Sequence, residues 1–146
     1  MRPKFTKNGN LHENQTFSYE EFKKTFGFNE SRKEKLNRVL IFLKILKLLG
    51  CTNVYVVGSF VSNKEFPNDI DLCVDITGID YRKLTKQYPE LLQPKGIEKI
   101  RKEHNVHFAL FFDFGSTELL DWFRKDRDDN LRGLVKIYLN DIDDYD

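Results

Sequence analysis

Cysteine is scarce. Cys51 and Cys73 are the only two in 146 residues, and their spacing makes neither a zinc site nor a redox motif. Each lies beside or within an apolar, β-branched run, so two buried free thiols are expected. Histidine is scarce too: His12 and His104 have no convincing partner residues, which argues against zinc. Long hydrophobic runs are missing as well. None approaches the roughly 18 residues that span a bilayer, and the opening "MRPKFTKNGNLHEN" lacks the apolar core of a signal peptide. The chain therefore reads as cytoplasmic, with no membrane partner. Finally, the net charge is only +1, which excludes a whole-protein basic field of the kind that gathers nucleic acid nonspecifically.

What is present is enough for one folded domain. The apolar fraction is 40% and thirteen residues are Phe, a composition that buries a core rather than staying disordered. Charge is uneven along the chain. Residues 1–50 carry eleven Lys and Arg against five Asp and Glu; residues 51–146 carry thirteen against eighteen. Solvated helix faces and an acidic tail account for this, as does a basic N-terminal surface beside an acidic site. A basic helix around Arg32, Lys33, Lys35 and Arg38 is the feature a nucleic-acid-binding regulator would use.

Three parts follow from the patterning: an arm over residues 1–15, a domain over 16–140 and an acidic tail over 141–146. In "TFSYEEFKKTFG", Ser18 followed by Glu21 is a capping box and Gly27 a stop. Leu36, Val39, Leu40, Leu43, Leu46 and Leu49 recur at three- and four-residue steps, predicting a long amphipathic helix ended by Gly50. "TNVYVVG" predicts a buried strand. "DIDLCVDI" alternates, with Ile70, Leu72, Val74 and Ile76 on one face and Asp69, Asp71, Cys73 and Asp75 on the other. Short helices are expected near residues 80–87 and 94–103, and a strand in "VHFALFFDF". A helix in "STELLDWFRK" and a last strand in "LVKIYLN" complete the order, with Trp122 and Phe123 as core. The fold class is α+β: a small mixed sheet with helices packed on it.

The chemistry is suggested by Val54–Asp75, "VYVVGSFVSNKEFPNDIDLCVD". An apolar strand ends in Gly58-Ser59, and nine residues later Asp69-Ile70-Asp71 opens a second strand. Two carboxylates on one strand face have Cα atoms roughly 6.5–7 Å apart, so they can converge on divalent metal. Mg²⁺ takes oxygen ligands, commonly one or two carboxylates plus substrate phosphates. Without metal the two charges repel, and one titrates upward. Glycine permits a tight strand exit with backbone close to a phosphate, exposed N–H groups beyond it favour an anion, and the Ser59 hydroxyl and Lys64 ammonium add donors. Either half alone is common on protein surfaces; the combination is more specific.

As they stand in Val57-Gly58-Ser59 and Asp69-Ile70-Asp71-Leu72, these residues resemble the signature of the polymerase-beta-like nucleotidyltransferase superfamily. The elements "YEEFKKTFG", "GSFVSNKEFPNDIDLC" and "FRKDRDDNLRGLVKIYL" further resemble a group of short bacterial nucleotidyltransferase-like proteins, over roughly residues 10–140. The resemblance implies a polymerase-beta-like fold and transfer of NMP from an NTP, most plausibly ATP, with Mg²⁺ or Mn²⁺. Asp69 and Asp71 would hold metal; Gly58, Ser59 and Lys64 would hold the triphosphate. The acceptor would be a hydroxyl of a protein, an RNA end or a small molecule, and a paired toxin fits the antitoxin role of minimal members.

Active members add a third carboxylate from a later strand. Asp113 is the only acid in Val106–Phe114, and it stands at the strand's end, as a third catalytic and metal ligand or as a surface or capping residue. His107, on the same face as Asp113 by alternation, is a base candidate or a half-buried strand residue. "DRDDNLRG", with Arg127 and Arg132, is a turn or a substrate contact. A catalytically weak or inactive binding module of the same fold, for a nucleotide or a protein, is the alternative reading.

Overall fold

A computed structural model describes residues 4–111, 128, 130 and 132–142. Described strands are β1 (Gln15–Ser18), β2 (Asn53–Val57), β3 (Ile70–Asp75), β4 (Val106–Phe111) and β5 (Val135–Tyr138). The helices are α1 (Tyr19–Phe26), α2 (Glu30–Leu48), α3 (Tyr81–Gln87) and α4 (Pro94–His104), with 3-10 turns at Gly58–Val61 and Pro89–Leu92. The sheet order is β1-β5-β2-β3-β4. β2 runs antiparallel to both β5 and β3, whereas β1–β5 and β3–β4 are parallel. The α+β class with a small mixed sheet is what the patterning predicts. The helix expected near residues 116–125, the core residues Trp122 and Phe123, Asp113 and Arg127 all lie outside the described residues.

Local signals explain where the helices begin. Ser18 accepts from the Glu21 N–H while Glu21 accepts from the Ser18 N–H, so the expected capping box is formed. Asn29 caps α2 by accepting from the Arg32 N–H at 2.8 Å. The buried stripe of α2 is Leu36, Val39, Phe42, Leu43 and Leu46. It packs with Phe22 and Phe26 of α1 against one face of the sheet, where Val54, Val56, Ile70, Leu72, Val74, Val106, Phe108, Val135 and Ile137 are buried. Tyr19 ties α1 to α2 by donating its hydroxyl to the Leu36 carbonyl at 2.9 Å.

The alternation in β3 is realised. Ile70, Leu72 and Val74 face this core, while Cys73 is buried on the other face in a smaller cluster with Val57 and Leu134, beside Tyr55 and Ala109. Both cysteines are free and buried, as expected. Two details differ from the patterning. β3 begins at Ile70, one residue after Asp69. β1 has no signal of its own; its four residues are recruited by pairing along β5. Residues preceding β1 form a turn in which Phe5 bridges to Leu11, and Leu11 enters the core at 1% exposure. That turn packs on both neighbours of the site: the Asn63 N–H donates to the Gly9 carbonyl and the Gly133 N–H to the Leu11 carbonyl. No helix among the described residues is long and apolar enough to cross a membrane.

Candidate active site

The antiparallel pairing of β2 with β3 puts Val57 opposite Asp71, so the residue leaving β2 meets the second aspartate directly. That residue is Gly58. Its φ is +79°, in the left-handed region, and a Cβ there would stand 2.6 Å from Asp71 Oδ2. Two independent constraints, backbone sign and space, thus require glycine at this place. The Gly-Ser turn and the Asp-x-Asp strand start are one packed unit, although nine residues of chain separate them.

β4 lies beside β3 in parallel, and His107 is the register partner of Asp71. Its Nδ1 stands 3.4 Å from Asp71 Oδ1. Burial pushes the Asp71 carboxyl up from the ordinary carboxylate range; His107 counters it, the charge of Asp69 adds to the rise, and the charge of Arg132 opposes it. The like-charge conflict expected of two close aspartates is therefore present. Asp69 is 24% exposed and is approached at 3.5 Å both by Arg101 Nη1 and by the side-chain amide of Asn105. Arg101 is itself gripped by Glu98, through bonds of 2.7 and 3.0 Å. Asn105 sits in the left-handed conformation at φ 60° as the cap that ends α4. Its carbonyl accepts from the Ile70 N–H at 2.9 Å. Asn105 thereby fixes where Asp69 leaves the loop, through backbone and side chain together.

Ser59 follows Gly58 at partial exposure, and its carbonyl accepts from the Ser62 hydroxyl at 2.5 Å and from the Ser62 N–H. Lys64 is exposed, with its main chain held: its N–H donates to the Ser62 hydroxyl and its carbonyl accepts from Arg32. The structure thus brings Gly58, Asp69 and Asp71 together with Ser59 adjacent, and leaves the Lys64 ammonium at the surface of the connecting loop. Asp113 lies outside the described residues. A cleft lined by Lys4, His12, Glu13 and Gln15 opens beside the N-terminal turn, and none of the expected site residues is among these.

The donor set suits a hard divalent cation: two carboxylates, one partly desolvated and burdened by its neighbour's charge, with oxygen ligands only. Among the described residues no group of three or more His, Cys, Asp and Glu side chains is arranged to hold a metal; a pair of carboxylates that uses substrate phosphates to complete the shell needs no third. Among the described residues Arg101 stands against Asp69 and His107 against Asp71.

The chain matches a family of unknown function, DUF6932, over residues 3–138. It belongs to this DUF6932 family. No curated protein and no solved structure matches it. The matched span of this family member includes every candidate site residue, from Gly58 to Asp113.

Four neighbours of the aspartates were not assigned to the metal site from sequence: Arg101, Asn105, His107 and Arg132. His107 was visible only as a base candidate. Arg101 is signalled by the Glu98/Arg101 spacing on α4, but that pattern does not say what lies beyond it. Arg132 sits in the "NLRG" stretch, whose turn-rich composition hides a charge that reaches Asp71. One expectation is corrected here. Arg32 is not part of a basic surface: it is 0% exposed, because its guanidinium is enclosed by loop carbonyls.

Proposed function

We propose that this DUF6932 chain is a minimal nucleotidyltransferase that moves NMP from an NTP, most plausibly ATP, to a hydroxyl acceptor with Mg²⁺ or Mn²⁺. The observation that carries the reading is the contact of Gly58 with Asp71: the two halves of the motif are fitted to each other at a place where only glycine fits. A phosphate held at Gly58-Ser59 lies next to the carboxylates that would hold its metal. When bound, the metal would polarise the transferred phosphoryl group and assist the acceptor hydroxyl.

In this reading the chain's own residues take the following roles. Asp69 and Asp71 hold the cation. Ser59 offers its hydroxyl, and Lys64 its ammonium, to the triphosphate. Arg132 and Arg101 supply positive charge flanking the two acids, which suits the spread of negative charge on a transferring phosphoryl group. His107, whose Nδ1 stands 3.4 Å from Asp71 Oδ1, would take the acceptor's proton as general base. The overall arrangement, an antiparallel pair bearing the motif followed by helices and a parallel strand, supports the polymerase-beta-like comparison. The acceptor would be a protein, an RNA end or a small molecule, and a paired toxin is the protein acceptor of choice to test in an antitoxin role.

A second reading rests on His107. The register position opposite Asp71 is held by histidine, not by an acid, so the same fold can serve as a binding module for a nucleotide or protein partner without turnover.

Thermal unfolding with each NTP, with and without Mg²⁺, tests the shared part of both readings. Ligand at about 100 times Kd adds about 2.7 kcal/mol. At this size that raises Tm by about 5–10 °C. The rise is expected for wild type with metal and not for Asp69→Asn/Asp71→Asn. Without ligand the double variant is expected to be no less stable than wild type, since two crowded charges are gone. Absence of any nucleotide shift sinks both nucleotide readings. Transfer of label from the bound NTP to total RNA or protein then separates the enzyme from the binding module.

A further inference from the structure

Arg32 is the only charged side chain among the described residues with 0% exposure. It lies in the first turn of α2, and every N–H of its guanidinium is used. Nε donates to the Lys64 carbonyl at 3.2 Å; Nη1 donates to the carbonyls of Phe26 at 3.1 Å and Phe60 at 2.7 Å; Nη2 donates to those of Ser62 at 2.9 Å and Lys64 at 2.6 Å. The group sits over the rings of Phe28 and Phe60, 4.1 and 4.7 Å from their centroids. From the same helical turn, Asn29 donates its side-chain amide to the Glu65 carbonyl at 2.7 Å. Four carbonyls of the segment 60–65 are therefore gripped by the start of one helix. A planar fork of five donors can do this; the three-donor ammonium of lysine cannot match it.

The gripped segment has Gly58-Ser59 at one end and Asp69-Asp71 at the other. A loop held only at its ends must be ordered when ligand binds, and that ordering subtracts from affinity. We propose that Arg32, assisted by Asn29, is a positioning residue of the nucleotide site: it fixes the loop between Gly58-Ser59 and Asp69-Asp71 so that Ser59 and the backbone carrying Lys64 are already ordered before the triphosphate binds. This rests on the nucleotidyltransferase reading above. Arg32 acts through the loop and touches no substrate.

The test is titration of ATP, and separately of inorganic triphosphate, with Mg²⁺ into wild type, Arg32→Lys, Asn29→Ser and Leu84→Ala. Each is measured at a temperature where circular dichroism shows it folded. Leu84, buried on α3 and not among the residues that hold the loop, provides a destabilised control variant. Kd is expected to rise at least about tenfold in Arg32→Lys, less in Asn29→Ser, and not at all in Leu84→Ala. Amide exchange of residues 59–64 should accelerate only in the first two. A purely structural Arg32 lowers Tm and leaves the folded protein's Kd unchanged; wild-type Kd in Arg32→Lys and Asn29→Ser overturns the inference. If Arg32→Lys does not fold, Asn29→Ser decides alone, because serine preserves the helix cap. Wild type that binds neither ligand overturns the nucleotide reading and this inference with it, an outcome read from the wild-type arm and distinct from failure in the variants.

Discussion

At Gly58 one residue connects conformation, packing and chemistry. Its positive φ costs an L-residue about 1–3 kcal/mol, and the missing Cβ leaves the space that Asp71 Oδ2 occupies. Gly58→Ala is therefore expected to lower stability by about 1–3 kcal/mol in urea unfolding and to weaken nucleotide affinity by displacing Asp71. A variant with unchanged stability and unchanged affinity would show that Asp71 has room to move and that the contact is incidental. Much of this was legible in sequence, because a strand ending in Gly-Ser and an Asp-x-Asp restart are local patterns. The partners of the acids were not. His107 meets Asp71 only through the register of β4, Arg101 and Asn105 meet Asp69 only where α4 turns into β4, and no local spacing encodes either. Arg32 was misread for a related reason: its neighbours Lys33 and Lys35 are charged too, and only the fold of the 60–65 loop decides which cation is enclosed.

The elements show the same division between local and long-range information. α1 is specified within four residues by the Ser18/Glu21 box, and it brings Tyr19, Phe22 and Phe26 into the core. Ser18→Ala removes the acceptor for the Glu21 N–H and should cost about 1 kcal/mol, or about 2–4 °C in Tm, with α1 still present in the circular dichroism spectrum. A neutral substitution would mean that packing of the three aromatic residues, not the cap, sets where α1 begins. α2 was legible from its apolar period and β3 from its alternation. β1 was not: Gln15–Ser18 is short and mostly polar, and it becomes a strand because its residues pair along β5 from the far end of the chain. The first turn of α2 carries more than a helix start. Asn29 caps the helix with its oxygen and holds the loop with its nitrogen, so one side chain joins an element boundary to the site.

Three buried acid groups in separate parts of the molecule give the fold a common response to alkali. Burial pushes the Cys51 and Cys73 thiols up to about 12, with the charge of Asp75 adding for Cys51 and that of Asp71 for Cys73; backbone hydrogen bonding at Asn53 pulls Cys51 the other way. Burial, with Glu20 adding, pushes the Tyr19 phenol up to about 12 as well. The unfolded chain loses these protons from about pH 9 for the thiols and pH 10 for the phenol, whereas the folded chain keeps them until near pH 12. In that window the folded state binds more protons, so stability must fall as pH rises. Each thiol contributes a loss of about 1.4 kcal/mol per pH unit; both together remove about 3 kcal/mol per unit from a total of roughly 5–15 kcal/mol. Urea unfolding at pH 8, 9, 10 and 10.5 should therefore show little change to pH 8.5 and a steep decline above it. Cys73→Ala, although less stable at pH 8 from its cavity, should decline less steeply, by about 1.4 kcal/mol per unit. Equal slopes for wild type and Cys73→Ala would mean that the Cys73 thiol ionises as freely in the folded protein as in the unfolded chain. Such a thiol would have water or a cation at hand on the face of β3 that also carries Asp71, and that face would be more open than the packing of Cys73 against Val57 and Leu134 implies.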